Sequence, residues 1–361
     1  MDIHFNSYKI KYQLMDYYFK PIRSSQIVRS VNIFINLDDL LHRLHRPLTN
    51  REFQCCGANA SRQLVSNIFN LIGHYKNWAV KRYMVPKIFL VYTSANKIFK
   101  NHMYLPSYRK HYLDINLPNS GEFYFINDAI FASYQIIPTI AKYLRNIYAI
   151  DTRYLEPSAA MLYLSNKFHT DWNILISRDE YDLQYAYRDH WSVISPKGDN
   201  STFVTRENFW GHLLAINGID TSERLYYATK LFADMKAVAG DRYRSIPKLK
   251  RCGWKTIFAY LAEVASTGRL DSDTEVLQEN RFCELLTKKK VDTDDLNNNL
   301  YCVDIEKQVN SFLQSDRAII DSCILDMEDF ASLSQINSSI FELFPLNLSF
   351  LCRDKLEDAA R

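Results

Sequence analysis

This chain of 361 residues is poor in glycine, with nine in all, and lacks the ~20-residue apolar run that a membrane span requires. Each glycine in a turn therefore carries more weight than usual, and a membrane partner is not expected. The seven cysteines show no metal-type spacing. Cys55 and Cys56 are adjacent and read as small buried side chains rather than half of a zinc site. Repeats and low-complexity tracts are absent. The opening MDIHFNSYKIKYQLMDYYFK lacks the charged start and apolar core of a leader, so it reads as part of the fold or a docking arm. With cysteine usage of the reducing type, this points to the cytoplasm. A net charge of +3 argues against a surface coated for a polyanion, but leaves room for a local basic patch.

Aromatic residues are abundant. There are 24 Tyr and 21 Phe within a 47% hydrophobic composition, enough for a sizeable core. Val31–Asn36 (VNIFIN), Lys87–Tyr92 (KIFLVY) and Trp172–Ser177 (WNILIS) are short β-branched or aromatic runs that read as buried strands. Tyr148–Thr152 and Trp191–Ser195 are weaker strand candidates, the latter ending at a turn over Pro196–Asn200. Helical spacing covers Asp38–Arg46, Ser61–Tyr83, Ile126–Arg145 and Glu156–Phe168. Pro86 is read as the end of the second of these, and Pro157 suits the first turn of the last. This alternation predicts an α/β fold with a mostly parallel central sheet and crossover helices. From Thr205 onward the pattern is almost wholly helical. Asp271–Glu306 is acid-rich and reads as a solvated region with loops, and Ile340–Leu351 is one more apolar segment.

In such sheets, ligands gather at the carboxyl ends of the strands, so Asn36, Thr93 and Ser177–Asp179 are the positions to inspect. A second signal lies in Lys236–Glu263 (KAVAGDRYRSIPKLKRCGWKTIFAYLAE). Six Lys/Arg and no acid fall between Arg242 and Lys255, around a turn at Pro247 and ahead of an apolar helix. Backbone groups and cations offered together to one phosphate strand read as a nucleic-acid grip. The polar segment Thr93–Ser120 mixes Lys97, Lys100, Arg109 and Lys110 with Tyr104, Tyr108 and Tyr112, a composition that single strands favour.

These motifs, in this order across Val31–Glu263, resemble the flap endonuclease/5′-3′ exonuclease family, whose fold is PIN-like with a helix–three-turn–helix element. The family hairpin Gly-x-x-Gly-x-Gly-x-Lys-Thr is matched by Gly253, Lys255 and Thr256, with Lys248 and Arg251 in place of two glycines. Ser107-Tyr108-Arg109-Lys110 resembles the basic entry to the family's helical arch. The family holds two divalent metals with carboxylates at the strand ends, and the metals activate water for phosphodiester hydrolysis. By that resemblance, Asn36 and Thr93 stand where the first two strands end in Asp. Glu156-Pro157-Ser158-Ala159 keeps only the Glu of Glu-Ala-Asp-Asp. Asp179-Glu180-Tyr181, followed by Gln184, keeps the first Asp of Asp-x-Asp and replaces the second with Tyr. In Gly240-Asp241-Arg242-Tyr243-Arg244-Ser245-Ile246-Pro247 the metal-facing Asp has become Arg244.

The resemblance therefore leaves three remnant acids, Glu156, Asp179 and Asp241, and puts a cation where a divalent ion would sit. Arg244 is expected to pair with those acids. Asp38, Asp179 and Asp182 are the candidate metal ligands under a shifted register; otherwise Asp38 and Asp39 serve the helix N-terminus and Asp182 is an exposed turn residue. Arg109, Lys110, Arg242, Arg244, Lys248, Lys250, Arg251 and Lys255 are the candidate nucleic-acid contacts.

The implied organisation is an N-terminal extension over 1–30, a PIN-like core over 31–204 with an arch-like segment at 93–120, a helix–three-turn–helix region over 205–270, and an acidic, mainly helical extension over 271–361. The implied function is binding of branched or junction DNA without efficient cleavage, with no cofactor, in phage-type replication, recombination or transcription; a phage-encoded chain would work in the host cytoplasm. Two alternatives stay open. One is an active Mg- or Mn-dependent 5′ nuclease with a rebuilt acid cluster. The other is a scaffold that docks replication or transcription proteins.

Overall fold

The computed structural model describes residues 29–45, 57–93, 99–108, 132–142, 144, 146–177, 179–197, 200–218, 231–242, 244–267 and 274–328. Six strands form one sheet in the order β3-β2-β1-β4-β5-β6. They are β1 (Arg29–Asn36), β2 (Met84–Tyr92), β3 (Ile147–Asp151), β4 (Trp172–Ile176), β5 (Trp191–Lys197) and β6 (Asn200–Val204). The first five run parallel, and β6 pairs antiparallel with β5. The mostly parallel α/β architecture is thus the one that the strand–helix alternation predicts. Strand β6 is an addition, because the turn expected to end β5 instead returns the chain along its edge. Pro86 also differs from its reading. It lies within β2, where its Cα is paired with that of Val31, and the preceding helix already ends at Val80.

The strands are apolar on both faces because helices cover both sides. Residues 33–36 of β1 and 88–92 of β2 are buried without interruption. A row of rings crosses the sheet, with Phe34 at 5.0 Å from Phe89 and 5.2 Å from Trp191, and Phe89 at 5.1 Å from Tyr148. Such pairs add roughly 0.5–1.5 kcal/mol each beyond area burial. The chain moves outward from β1 through β2 to β3, then returns to the other side of β1 at β4. This reversal creates a switch point between β1 and β4, where side chains beyond the strand ends can converge.

Residues 274–328 form four helices, Thr274–Lys288, Thr293–Val303, Ile305–Asn310 and Gln314–Glu328, in keeping with the mainly helical extension expected, although the acid-rich stretch up to Glu306 is helical rather than looped. The acids mark the starts of helices: Asp292 caps through Asp294 N at 2.8 Å, and Asp304 through Glu306 N at 2.9 Å. Leu300, Cys302, Val303 and Ile305 supply the buried face. Two acids of the last helix tie it to the core, Asp316 to Lys100 at 2.8 Å and Asp321 to Lys167 at 2.8 Å. Among the described residues, no helix is long and apolar enough to cross a membrane. Ile340–Leu351 and the 1–28 segment lie outside the described residues.

Candidate nucleic-acid interface and acid cluster

Beyond β1, Asn36 is no ligand; its Oδ1 accepts the Asp39 backbone N–H at 3.2 Å and so starts the helix Leu37–His45. Thr93, at the end of β2, shares a hydrogen bond with Thr152 at 2.9 Å. Asp38 is buried beside it, and its carboxylate accepts from the Tyr134 hydroxyl at 2.5 Å and from Thr93 N at 3.2 Å. Asp182 is also buried, not exposed as its turn position suggested. It accepts from the Ser158 hydroxyl at 2.5 Å and the Ser177 hydroxyl at 2.6 Å. Burial pushes its pKa up to about 7, Asp179 adds to this, and Arg244 and the two hydroxyls oppose it.

The three remnant acids do meet. Glu156 stands at the N-cap of the helix Pro157–Lys167 with extended backbone and makes no side-chain cap bond, which lets its carboxylate turn inward. Asp179 caps the 3₁₀ helix Glu180–Tyr187 by accepting from Tyr181 N. Asp241 opens a tight hairpin closed by two backbone bonds with Ile246, at 3.0 and 2.8 Å. Its Oδ1 accepts from Arg244 N at 3.0 Å, which fixes the direction of that residue. The Arg244 guanidinium reaches Asp179 at 2.6 Å, Glu156 at 3.4 Å and Asp241 at 3.5 Å. Below it lies the Tyr181 ring, 3.8 Å from Arg244 Cζ to the centroid.

Arg244 is fully buried. It belongs to the acid cluster and cannot touch a nucleic acid, which corrects its place among the expected contacts. Burial acts to lower its pKa, but Asp179 and Glu156 hold the guanidinium charged. A divalent ion needs the same carboxylate oxygens that Arg244 occupies, so the residues present do not fit a metal between Glu156, Asp179 and Asp241. Among the described residues, no group of three or more His, Cys, Asp and Glu is arranged to hold a metal ion.

A second buried cation completes the cluster, one that the sequence pattern did not single out. Lys236 Nζ lies 2.5 Å from Glu180 and 3.3 Å from Asp241. Burial disfavours its charge, but Asp241 and Glu180 more than offset this and raise its pKa. The same effect holds Asp241 below the usual carboxylate range: burial pushes it up, but Lys236 and Arg244 outweigh it. The available signal was a Lys between Met235 and Ala237 in the helix Leu231–Ala239, whose other charged residue is Asp234. Tyr108, read as a ring for single strands, is buried, and its hydroxyl donates to Glu156 at 2.8 Å.

The hairpin cations divide by position. Arg242, Lys248, Lys250, Arg251 and Lys255 are all exposed along the turn and the first residues of the helix Trp254–Thr267. Gly240 is required here: its φ is +76°, and a Cβ would lie 2.7 Å from Lys248 N. Arg251 adopts the left-handed conformation at φ 59°. That costs about 1 kcal/mol relative to glycine. Asn299 fastens the turn by donating to Ala237 O at 2.8 Å and Pro247 O at 2.9 Å. A cleft of about 690 Å³ runs beside the cluster, lined by Asp179, Glu180, Lys236, Asp241, Arg242 and Lys248 among others. Arg109, Lys110 and Lys97 lie outside the described residues.

This geometry is housed in the flap endonuclease/5′-exonuclease fold. The T5 D15 protein co-crystallised with metal ions superposes with a TM-score of 0.53 at 15% identity, covering 84% of this chain and 100% of that one. Zinc-bound T5 5′-exonuclease gives 0.54 at 16%, covering 84% and 100%. A product complex of the bacteriophage T5 D15 flap endonuclease with DNA and metal ions gives 0.53 at 15%, covering 83% and 98%; it is a pseudo-enzyme in which one aspartate is replaced by lysine. No known protein-family model matches the chain, nor does any curated protein.

Proposed function

We propose that this chain binds DNA, in branched or junction form, through its exposed hairpin cations and does not hydrolyse it. The observation that carries this reading is the Arg244 guanidinium within 3.5 Å of all three remnant acids. Hydrolysis in this fold family relies on carboxylates left open to divalent ions, and here those carboxylates bind an internal cation. Asp38 and Asp182, the acids a rebuilt site would need, are engaged by hydroxyl and backbone donors. The T5 pseudo-enzyme with a lysine for an aspartate is a complex with DNA and product, so acid-to-cation exchange and DNA binding coexist in that protein. Binding would rest on Arg242, Lys248, Lys250, Arg251 and Lys255, with Arg109 and Lys110 on the single strand. The role we assign is accessory, in phage-type DNA replication, recombination or transcription.

The test is a 5′-flap substrate incubated with the protein in Mg²⁺ and in Mn²⁺. A salt-dependent gel shift with intact substrate is expected. Metal-dependent cleavage abolished by Asp179→Ala would overturn the proposal in favour of an active nuclease, and no shift at low salt would favour a scaffold.

A further inference from the structure

The acids around Arg244 pose an electrostatic problem for any DNA-binding surface. Asp179, Glu180, Asp241 and Asp39 line the cleft, and Arg242 and Lys248, both exposed, line it too. A phosphate held by those two cations would therefore lie near several carboxylates, which repel it. Where a site holds divalent ions, the ions cancel that repulsion. Here two buried cations offset part of that charge from inside the protein, against four carboxylates. Arg244 takes Asp179, Glu156 and Asp241, while Lys236 takes Glu180 and shares Asp241. Both cations are buried at 4% exposure or less, so they act on a ligand through the acids.

We infer that Arg244 frees DNA binding by this chain from a need for divalent metal: the buried guanidinium lowers the negative charge of the cluster so that a strand phosphate can lie in the cleft between Arg242 and Lys248. The inference rests on the DNA-binding reading and adds the site and its metal independence. Arg244 is a positioning residue in this scheme, since it sets the charge of the wall and touches no phosphate. A merely structural ion pair would not have this property, because its removal would alter stability without making affinity depend on added metal.

The experiment is fluorescence anisotropy with a labelled 5′-flap duplex, in EDTA and in Mg²⁺ at equal ionic strength, with circular dichroism confirming the fold of each variant. Wild type is expected to bind within about two-fold in the two buffers, since only phosphate-bound counterions differ. Arg244→Met is expected to bind about ten-fold more weakly in EDTA, with Mg²⁺ recovering part of the loss. Arg244→Met combined with Asp179→Asn restores the charge balance and should return to within about three-fold of wild type in EDTA. Should Arg244→Met fail to fold, Asp179→Asn alone decides. It removes one negative charge from the wall of the cleft and is expected to tighten binding about three-fold in EDTA. Binding by wild type only in Mg²⁺, or a folded Arg244→Met indistinguishable from wild type in EDTA, or no gain in Asp179→Asn, overturns the inference while leaving DNA binding intact. No binding by wild type in either buffer at low salt overturns the DNA-binding reading and the inference with it.

Discussion

The Arg244 guanidinium stacks 3.8 Å above the centre of the Tyr181 ring. The two residues support one another. The ring offers a negative π face to the cation, an interaction worth about 2 kcal/mol when desolvated. The Tyr181 hydroxyl accepts from Gln308 Nε2 at 2.9 Å, which anchors the ring to the helix Ile305–Asn310.

Removing the cation should be costly. Arg244→Ala leaves the buried Glu156 and Asp241 and the largely buried Asp179 together without the guanidinium, and is expected to lower the unfolding free energy by about 3–5 kcal/mol. Arg244→Lys keeps the charge but loses the planar stack and fork, so it should fall between. Urea denaturation at neutral pH measures both, and a loss below about 1 kcal/mol for Arg244→Ala contradicts the ion-pair account.

The ring and its hydroxyl can be separated. Tyr181→Phe keeps the stack and loses the Gln308 bond, an expected cost of about 1 kcal/mol. Tyr181→Leu also removes the π face and should cost more, by about 2 kcal/mol. Thermal unfolding of the pair resolves the order; equal losses would assign the whole effect to the hydroxyl.

For the grip on DNA, salt is the sensitive variable. Replacing Lys248, Lys250, Arg251 and Lys255 by Gln should reduce the slope of log affinity against log salt by about 0.9 for each phosphate that is no longer neutralised. These side chains are exposed, so stability should stay within about 0.5 kcal/mol. An unchanged slope would place the DNA elsewhere on the molecule.

A pH effect follows from Asp182. Its folded pKa of about 7 lies above the ordinary carboxylate value, so the folded state binds the proton more tightly than the unfolded chain does. The stability this provides is fully present below about pH 4 and is lost as pH rises through about 7. Asp182→Asn should remove that part of the pH dependence, raising stability relative to wild type progressively from pH 5 to 8. Urea midpoints across that range are the check, and parallel curves would show that Asp182 is ionised throughout.

Much of the sheet could be read from the sequence, because apolar runs such as VNIFIN and WNILIS have only one way to be buried at that length. The meeting of Arg244 with Glu156, Asp179 and Asp241 was also legible, through motif order and spacing. What escaped had no periodic signal. The Lys236–Glu180 pair links a helix to a 3₁₀ segment 56 residues away, and only the Lys in a mostly apolar helix hinted at it. Tyr108 and Asp182 were misread because composition says which residues like solvent but not which will find buried partners; Glu156 and two serine hydroxyls supply them. The helical character of the C-terminal extension was legible, but its acid-rich stretch was read as looped, whereas Asp292 and Asp304 cap helix starts there.

The stacked pair also limits how the site can change. Arg244→Asp alone would crowd a fourth acid against the other three, above an aromatic ring that no longer has a cation to hold. Tyr181→Asp alone would remove the ring beneath the cation and leave a short carboxylate in its volume. Both single steps toward an open carboxylate site cross low stability, and the two together would set five carboxylates side by side, which only a bound cation could hold. Drift can therefore alter the exposed grip one cation at a time, while the buried centre resists stepwise change.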